Sequence, residues 1–296
     1  MLFKKVYSLY NSLVKLFDVK ESIIPFLVFY RVAISLVAII EITSLFPDLH
    51  LFFSQYNTLI PQELMYMQSG YFKYLHVFYV FLEENNLTTV FYKLAVPIYI
   101  TALLSLLAGI FTRYTALLAL ILQLLIFRSF APFNYGYDYF LTMSLFYCFV
   151  FPVGRYYSID EKIFKYTSKE NFNYKRVLQI HLAIAYCLSG VSKGLDPGWW
   201  NGNSVWKAIA SVDNSFFSIS PLILTFVGIG TVLLEFLYPL LIFLKPTRKY
   251  ALTAIILMHV SIAIMMELYA FSAIMIVWNI AAYGTLKEKA KHVETV

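Results

Sequence analysis

The chain has 296 residues, of which 60% are hydrophobic, 19% aromatic and only 14% charged. This balance excludes a soluble domain and points to an integral membrane protein, with room for about eight spans of roughly 20 residues each. A net charge of +6 would suggest nucleic-acid binding in a soluble protein, but here the lysines and arginines flank apolar segments, where they act as topology signals.

In chain order, eight apolar segments cover residues 25–45, 89–110, 112–130, 137–152, 175–192, 221–244, 250–267 and 270–284. They predict an all-α, polytopic transmembrane bundle forming one membrane domain over residues 1–296. The first segment carries Arg31 and ends in no small-residue cleavage site, so it is expected to stay as a helix rather than be removed as a signal peptide. With the N-terminus in the cytoplasm, the inside connections hold 17 lysines and arginines and the outside ones 5. Both termini are therefore expected inside, and Lys193 outside. The long outer connection from Phe46 to Thr88 mixes Asp48, Glu63, Glu83 and Glu84 with Tyr, Phe and Leu. That mixture suits an interfacial helical segment, which would roof a cavity. Cys148 and Cys187 each stand in an apolar run without metal-ligand spacing and are expected to be buried free thiols.

Ionisable residues inside spans are costly, face the bundle interior and find partners. Here they are Arg31 in the first segment, His181 in the fifth, Glu235 in the sixth, and His259 with Glu267 in the seventh. An Arg31–Glu235 pair that merely fixes helix register is the structural alternative to chemistry. In "EFLYP", Glu235 and Pro239 are one turn apart, so the proline is expected to bend the helix beside the carboxylate and open a polar pocket. His259 has no second histidine at i+3 or i+4, so no metal site is predicted. His181, two residues after Gln179, puts an imidazole beside an amide on the segment that leads to Lys193.

Lys193 ends that segment in "YCLSGVSKGLDPGWWNG", residues 186–202. Two readings are open for it. A lysine at a membrane boundary can anchor the helix, its ammonium reaching water past its own stem. Alternatively, partial desolvation in a mixed pocket disfavours a charged amine and makes a neutral base available. Ser189 and Gly190, at i−4 and i−3, share its helix face, and the small residues are expected to leave room for a substrate. Beyond it, Gly194, Pro197, Gly198 and Gly202 interrupt the helix, and Trp199, Trp200 and Trp206 suit an interfacial belt.

These residues carry a resemblance. "QIHLAIAYCLSGVSKGLDPGWWNGNSV", residues 179–205, resembles the core signature of the vitamin K-dependent gamma-carboxylase-like membrane domain, also called the horizontally transferred transmembrane domain, HTTM. Three further stretches match in order: "YRVAISLVAI" the first-span arginine motif, "FNYGYDYFLTMSLFYCFVFPVGRYYSID" the central region ending in a Ser-x-Asp turn, and "LLEFLYPLLIFLKPTRKYALTAIILMHVSIAIMMELYAF" the C-terminal Glu-x-x-x-Pro and His motif. The resemblance spans most of the chain.

The resemblance implies that Lys193 is the base that deprotonates a reduced, vitamin K-like quinone, which then reacts with oxygen. Asn134, Asp138, His181, Trp199, Trp200, Glu235 and His259 would line or support the quinone cavity, with the tryptophans packing the ring and excluding water. The family's carboxylation histidine would fall around Tyr135 or Gly136, neither of which is an imidazole, and the chain ends soon after its eighth segment, without a large lumenal portion. Peptide glutamate carboxylation is therefore not expected; oxidation or epoxidation of a lipid quinol or isoprenoid-like molecule is. The competing reading is a noncatalytic membrane module that helps a secreted peptide or a thioredoxin-like partner mature or leave the cell. A transporter ranks third, because an interruption at Pro239, Gly228 and Gly230 has no counterpart in the other half. No nucleic-acid partner is expected.

Overall fold

The computed structural model describes residues 24–52, 75–128, 134–164, 166, 172–212 and 219–284. Over their described residues, all eight apolar segments fold largely as helices, and the described residues form no β-strand. In lipid this is the expected outcome, since a helix satisfies its backbone hydrogen bonds within itself. Four helices are long and apolar enough to cross a membrane: α1 (Ile24–Ser44), α4 (Thr88–Ala108), α11 (Pro221–Phe243) and α12 (Lys245–Met266). Shorter apolar helices are α5 (Thr112–Gln123), which runs on into a π-helical turn at Leu124–Arg128, and α13 (Tyr269–Tyr283). α6 (Gly136–Val150) and α8 (Tyr174–Gly194) complete the set of eight. The described residues group into two compact units, one over the described part of Leu27–Lys169 and the other over residues 24–26 and the described part of Glu170–Val296.

In the first unit, α4, α5 and α6 pack in sequence around Tyr99, Leu103, Leu106, Ala116, Ala119 and Leu145, all buried. Small alanines at these contacts let helix backbones come close, which is how helices associate without a hydrophobic driving force. The α4–α5 corner shows how local sequence sets direction. Gly109 stops α4 in the left-handed region at φ 76°, where its own N–H and that of Ile110 bond back to Leu106 and Ser105. A side chain at Gly109 would run into Ser158 and the Arg31 guanidinium. Phe111 follows at φ 44°, unusual for a side-chain-bearing residue. The buried Asp160 holds that corner from a distance, accepting from Phe111 N at 2.7 Å, Thr112 N at 2.8 Å and Thr112 Oγ1 at 2.8 Å. Asp160 itself stands in α7 (Ile159–Ile163), which Ser158 caps by accepting from Glu161 N at 2.9 Å. The Ser-x-Asp turn is thus a clamp on the start of α5.

Of the connection from Phe46 to Thr88, two helical pieces are described, α2 (Leu49–Phe52) and α3 (His76–Glu84); residues 53–74 lie outside the described set. Phe46, Leu49 and His50 wall a cavity of about 600 Å³ together with Tyr92, Val96 and Pro97 of α4.

In the second unit, α8, α11, α12 and α13 close a ring in which each helix packs on the next and α13 returns to α8. Its interior holds Leu182, Tyr186, Val232, Tyr238, Ile255 and Trp278. Two short helices, α9 (Pro197–Trp200) and α10 (Asn203–Ala210), fold back on α11. The outward faces of α11 and α12 carry exposed Leu222, Phe226, Leu240, Leu257 and Ile264, an apolar exterior that suits lipid.

Candidate functional site

The second unit brings Lys193, Glu235, Trp199 and Trp200 to one end of the α8–α11 pair. Lys193 sits in the last turn of α8 and donates to Glu235 Oε2 at 2.5 Å and to Ser189 Oγ, one turn back, at 2.6 Å. The Lys193 side chain keeps 22% of its surface exposed and Glu235 only 6%, so the carboxylate is the buried partner and the ammonium the accessible one. The Trp199 ring lies 5.3 Å from the ammonium, a cation–π contact over its remaining face.

The loop chemistry accounts for Trp199 being there. α8 ends at Gly194, whose carbonyl accepts from Trp200 Nε1 at 2.8 Å. Asp196 then caps α9, accepting from Gly198 N at 2.9 Å and from Ser204 Oγ at 2.8 Å, with Pro197 at the first helical position. These bonds hold the Asp196 carboxyl below its usual pKa range. The Asp-Pro-Gly-Trp-Trp string is therefore a built turn that folds one indole onto the lysine.

The space beside Gly190 is not a substrate's. A Cβ there would overlap the backbone nitrogen and Cα of Phe236, because α11 crosses α8 at that glycine. The small residue gives close helix approach, and that approach lets Lys193 and Glu235 meet. An Arg31–Glu235 pair was the structural alternative to chemistry, and each of the two residues has its partners within its own unit. Glu235 pairs with Lys193, and the Arg31 guanidinium is held in the first unit by the carbonyls of Val153 at 3.2 Å and Tyr157 at 2.6 Å. Backbone oxygens of the turn after α6 thus hold the Arg31 guanidinium.

One to two turns deeper lies a second buried polar group. Tyr186 Oη and His259 Nε2 are 2.8 Å apart; Asn279 Nδ2 donates to Tyr186 Oη at 2.8 Å and to the Met275 carbonyl at 2.9 Å; Tyr238 Oη donates to Asn279 Oδ1 at 2.8 Å. Tyr186 is one turn from Ser189 on α8 and Tyr238 one turn from Glu235 on α11, so the two groups form one polar file along a helix interface. Sequence reasoning found His259 and missed Tyr186, Tyr238 and Asn279. Asn279, an amide in an otherwise apolar last helix, was the available signal.

The other predicted site residues fall as follows. His181 is half-buried and meets Trp278 edge-on at 5.0 Å, while Gln179 spends its amide on Ala282 O at 2.7 Å and accepts from Arg176 at 2.9 Å. Asn134 and Asp138 belong to the first unit, where Asp138 accepts from Tyr135 N at 3.1 Å and caps α6. Glu267 is exposed and directly follows the last residue of α12, at φ 56°. Pro239 does not interrupt α11, which is helical to Phe243; it removes the donor that would have reached the Glu235 carbonyl. Cys148 is buried and Cys187 half-buried, and both are free thiols. Among the described residues, no group of three or more His, Cys, Asp or Glu side chains gathers in a way that could hold a metal ion.

No family model, curated protein or solved structure matches the chain.

Proposed function

We propose that the protein is an integral membrane enzyme that deprotonates a lipid quinol with Lys193 and couples this to oxidation or epoxidation of the ring. The observation that carries the reading is the accessible Lys193 ammonium backed by the buried Glu235 carboxylate under the Trp199 ring. The resemblance of residues 179–205 to the carboxylase-like signature supports the same assignment.

The pair works as a unit. When a quinol hydroxyl approaches Lys193, the ammonium passes one proton to Glu235 and takes the substrate's proton at Nζ. The site keeps an ammonium beside the quinolate it has made, and the charge lost on Glu235 removes a buried anion from a poorly solvated position. Ser189 fixes the amine's direction throughout. Trp199 and Trp200 offer a flat apolar surface for a ring. Overall, quinol plus oxygen gives quinone epoxide plus water. In this reading the eight helices all span the bilayer, both termini are cytoplasmic and Lys193 faces the outer side.

The noncatalytic module is favoured by one observation: the same pair, with Gly190 against Phe236, locks α8 to α11. The test is to supply the detergent-solubilised protein with reduced naphthoquinone and ubiquinol under oxygen and follow products by mass spectrometry. Epoxide from the parent, falling at least about 100-fold in Lys193→Ala, is the expected result. No product from the parent, or equal product from the folded variant, overturns the enzyme reading.

A further inference from the structure

One direction of the hydrogen bonds in the buried polar group gives every phenol and amide proton there an acceptor. The Met275 carbonyl can only accept, so the Asn279 atom facing it is the amide nitrogen, and Asn279 Oδ1 faces Tyr238. Both Asn279 N–H bonds are then committed, one to Met275 O and one to Tyr186 Oη. Having accepted there, Tyr186 turns its own proton to His259 Nε2. The Nε2 atom is therefore the bare nitrogen, and the imidazole carries its hydrogen on Nδ1.

That N–H has no hydrogen-bond partner among the described residues, although His259 is only 2% exposed. A buried donor without an acceptor is destabilising, and here three neighbouring side chains decide which nitrogen carries it. The Ser272 hydroxyl, also buried and unpartnered, lies on α13 next to Phe271, whose ring is 5.6 Å from the His259 ring. The Nδ1–H donor calls for an acceptor oxygen, and the flat ring that would carry it comes from the quinol reading.

We infer that His259 Nδ1–H is a ligand-binding donor for the carbonyl or phenolate oxygen of a quinone-like ring, oriented by the Tyr238–Asn279–Tyr186 chain. This rests on the quinol reading and adds to it the atom that holds the ring and the tautomer that makes it a donor. Tyr186 and Asn279 act through His259 and are positioning residues.

The test separates the two nitrogens. A glutamine at this position can still accept from Tyr186 where Nε2 stood but lacks a donor at Nδ1; an asparagine can donate from near the Nδ1 position and lacks the link to Tyr186. Binding of 2-methyl-1,4-naphthoquinone to the full-length protein in detergent is measured by quenching of tryptophan fluorescence, with ¹⁵N spectra of histidine-labelled protein alongside. We expect His259→Gln to bind at least about tenfold more weakly, a difference of about 1.4 kcal/mol, and His259→Asn to stay within about threefold of the parent. We expect the Nδ1 resonance, and not Nε2, to move on saturation. Equal binding by the parent and His259→Gln, with an unmoved Nδ1, means a buried water satisfies the donor and overturns the inference even where epoxide is formed. Binding that depends on His259 in a protein that makes no epoxide sustains the inference and removes the oxygenase chemistry. No binding by the parent overturns both.

Discussion

At the scale of residues, Lys193 and Glu235 have two functions to be told apart, chemistry and attachment. Removing one partner leaves the other unpaired in a poorly solvated position, whereas replacing both with apolar side chains of similar size is close to neutral. Lys193→Met alone should therefore destabilise the protein by about 3 kcal/mol, the low end of the range because the ammonium is partly exposed. Lys193→Met/Glu235→Leu should recover most of that loss while staying inactive. Thermal unfolding in detergent with quinol turnover on the same samples checks it. A double variant that recovers both stability and turnover would make the pair an attachment only.

At the scale of elements, the α8–α11 crossing depends on Gly190, and Gly230 on the same α11 helix is its internal control. A Cβ at Gly190 meets the Phe236 backbone, while one at Gly230 meets nothing within 4 Å. Gly190→Ala should cost about 1–3 kcal/mol by forcing the helices apart. Gly230→Ala should be neutral or stabilise by up to about 1 kcal/mol, since alanine is the better helix former. Unfolding temperatures of the two variants decide the matter. The helices themselves were legible in the sequence because lipid leaves a spanning chain few alternatives, and the Lys193–Ser189 contact followed from a four-residue spacing. What was not legible is what helices do to one another. The Lys193–Glu235 bond joins residues 42 apart. Arg31 is held by backbone carbonyls, which no side-chain pattern encodes. Tyr186 and Tyr238 read as ordinary aromatic core until Asn279 is placed between them.

At the scale of the whole molecule, the charge distribution makes a claim about sidedness that labelling can check. On a background with Cys148 and Cys187 replaced by alanine, Asn201→Cys in the turn after α9 should react with a membrane-impermeant maleimide on intact cells. Lys162→Cys in α7 should react only after permeabilisation. Both positions are exposed, so access to the side of the membrane is what differs. The opposite pattern would invert the topology and put Lys193 on the cytoplasmic side.

The polar character of α8 also bears on how the protein is made. With Lys175, Arg176, Gln179, His181 and Lys193 along it, α8 has a span's length but is not among the four helices apolar enough to qualify by themselves. Lys193 leaves the ribosome 42 residues ahead of its counter-ion, a lag of a few seconds at about 5–20 residues per second. In the reading where α8 spans the bilayer, an unpaired Lys193 would hold the segment at the translocon until α11 arrives. Integration of the second unit would then run against the order of synthesis, with a later helix admitting an earlier one.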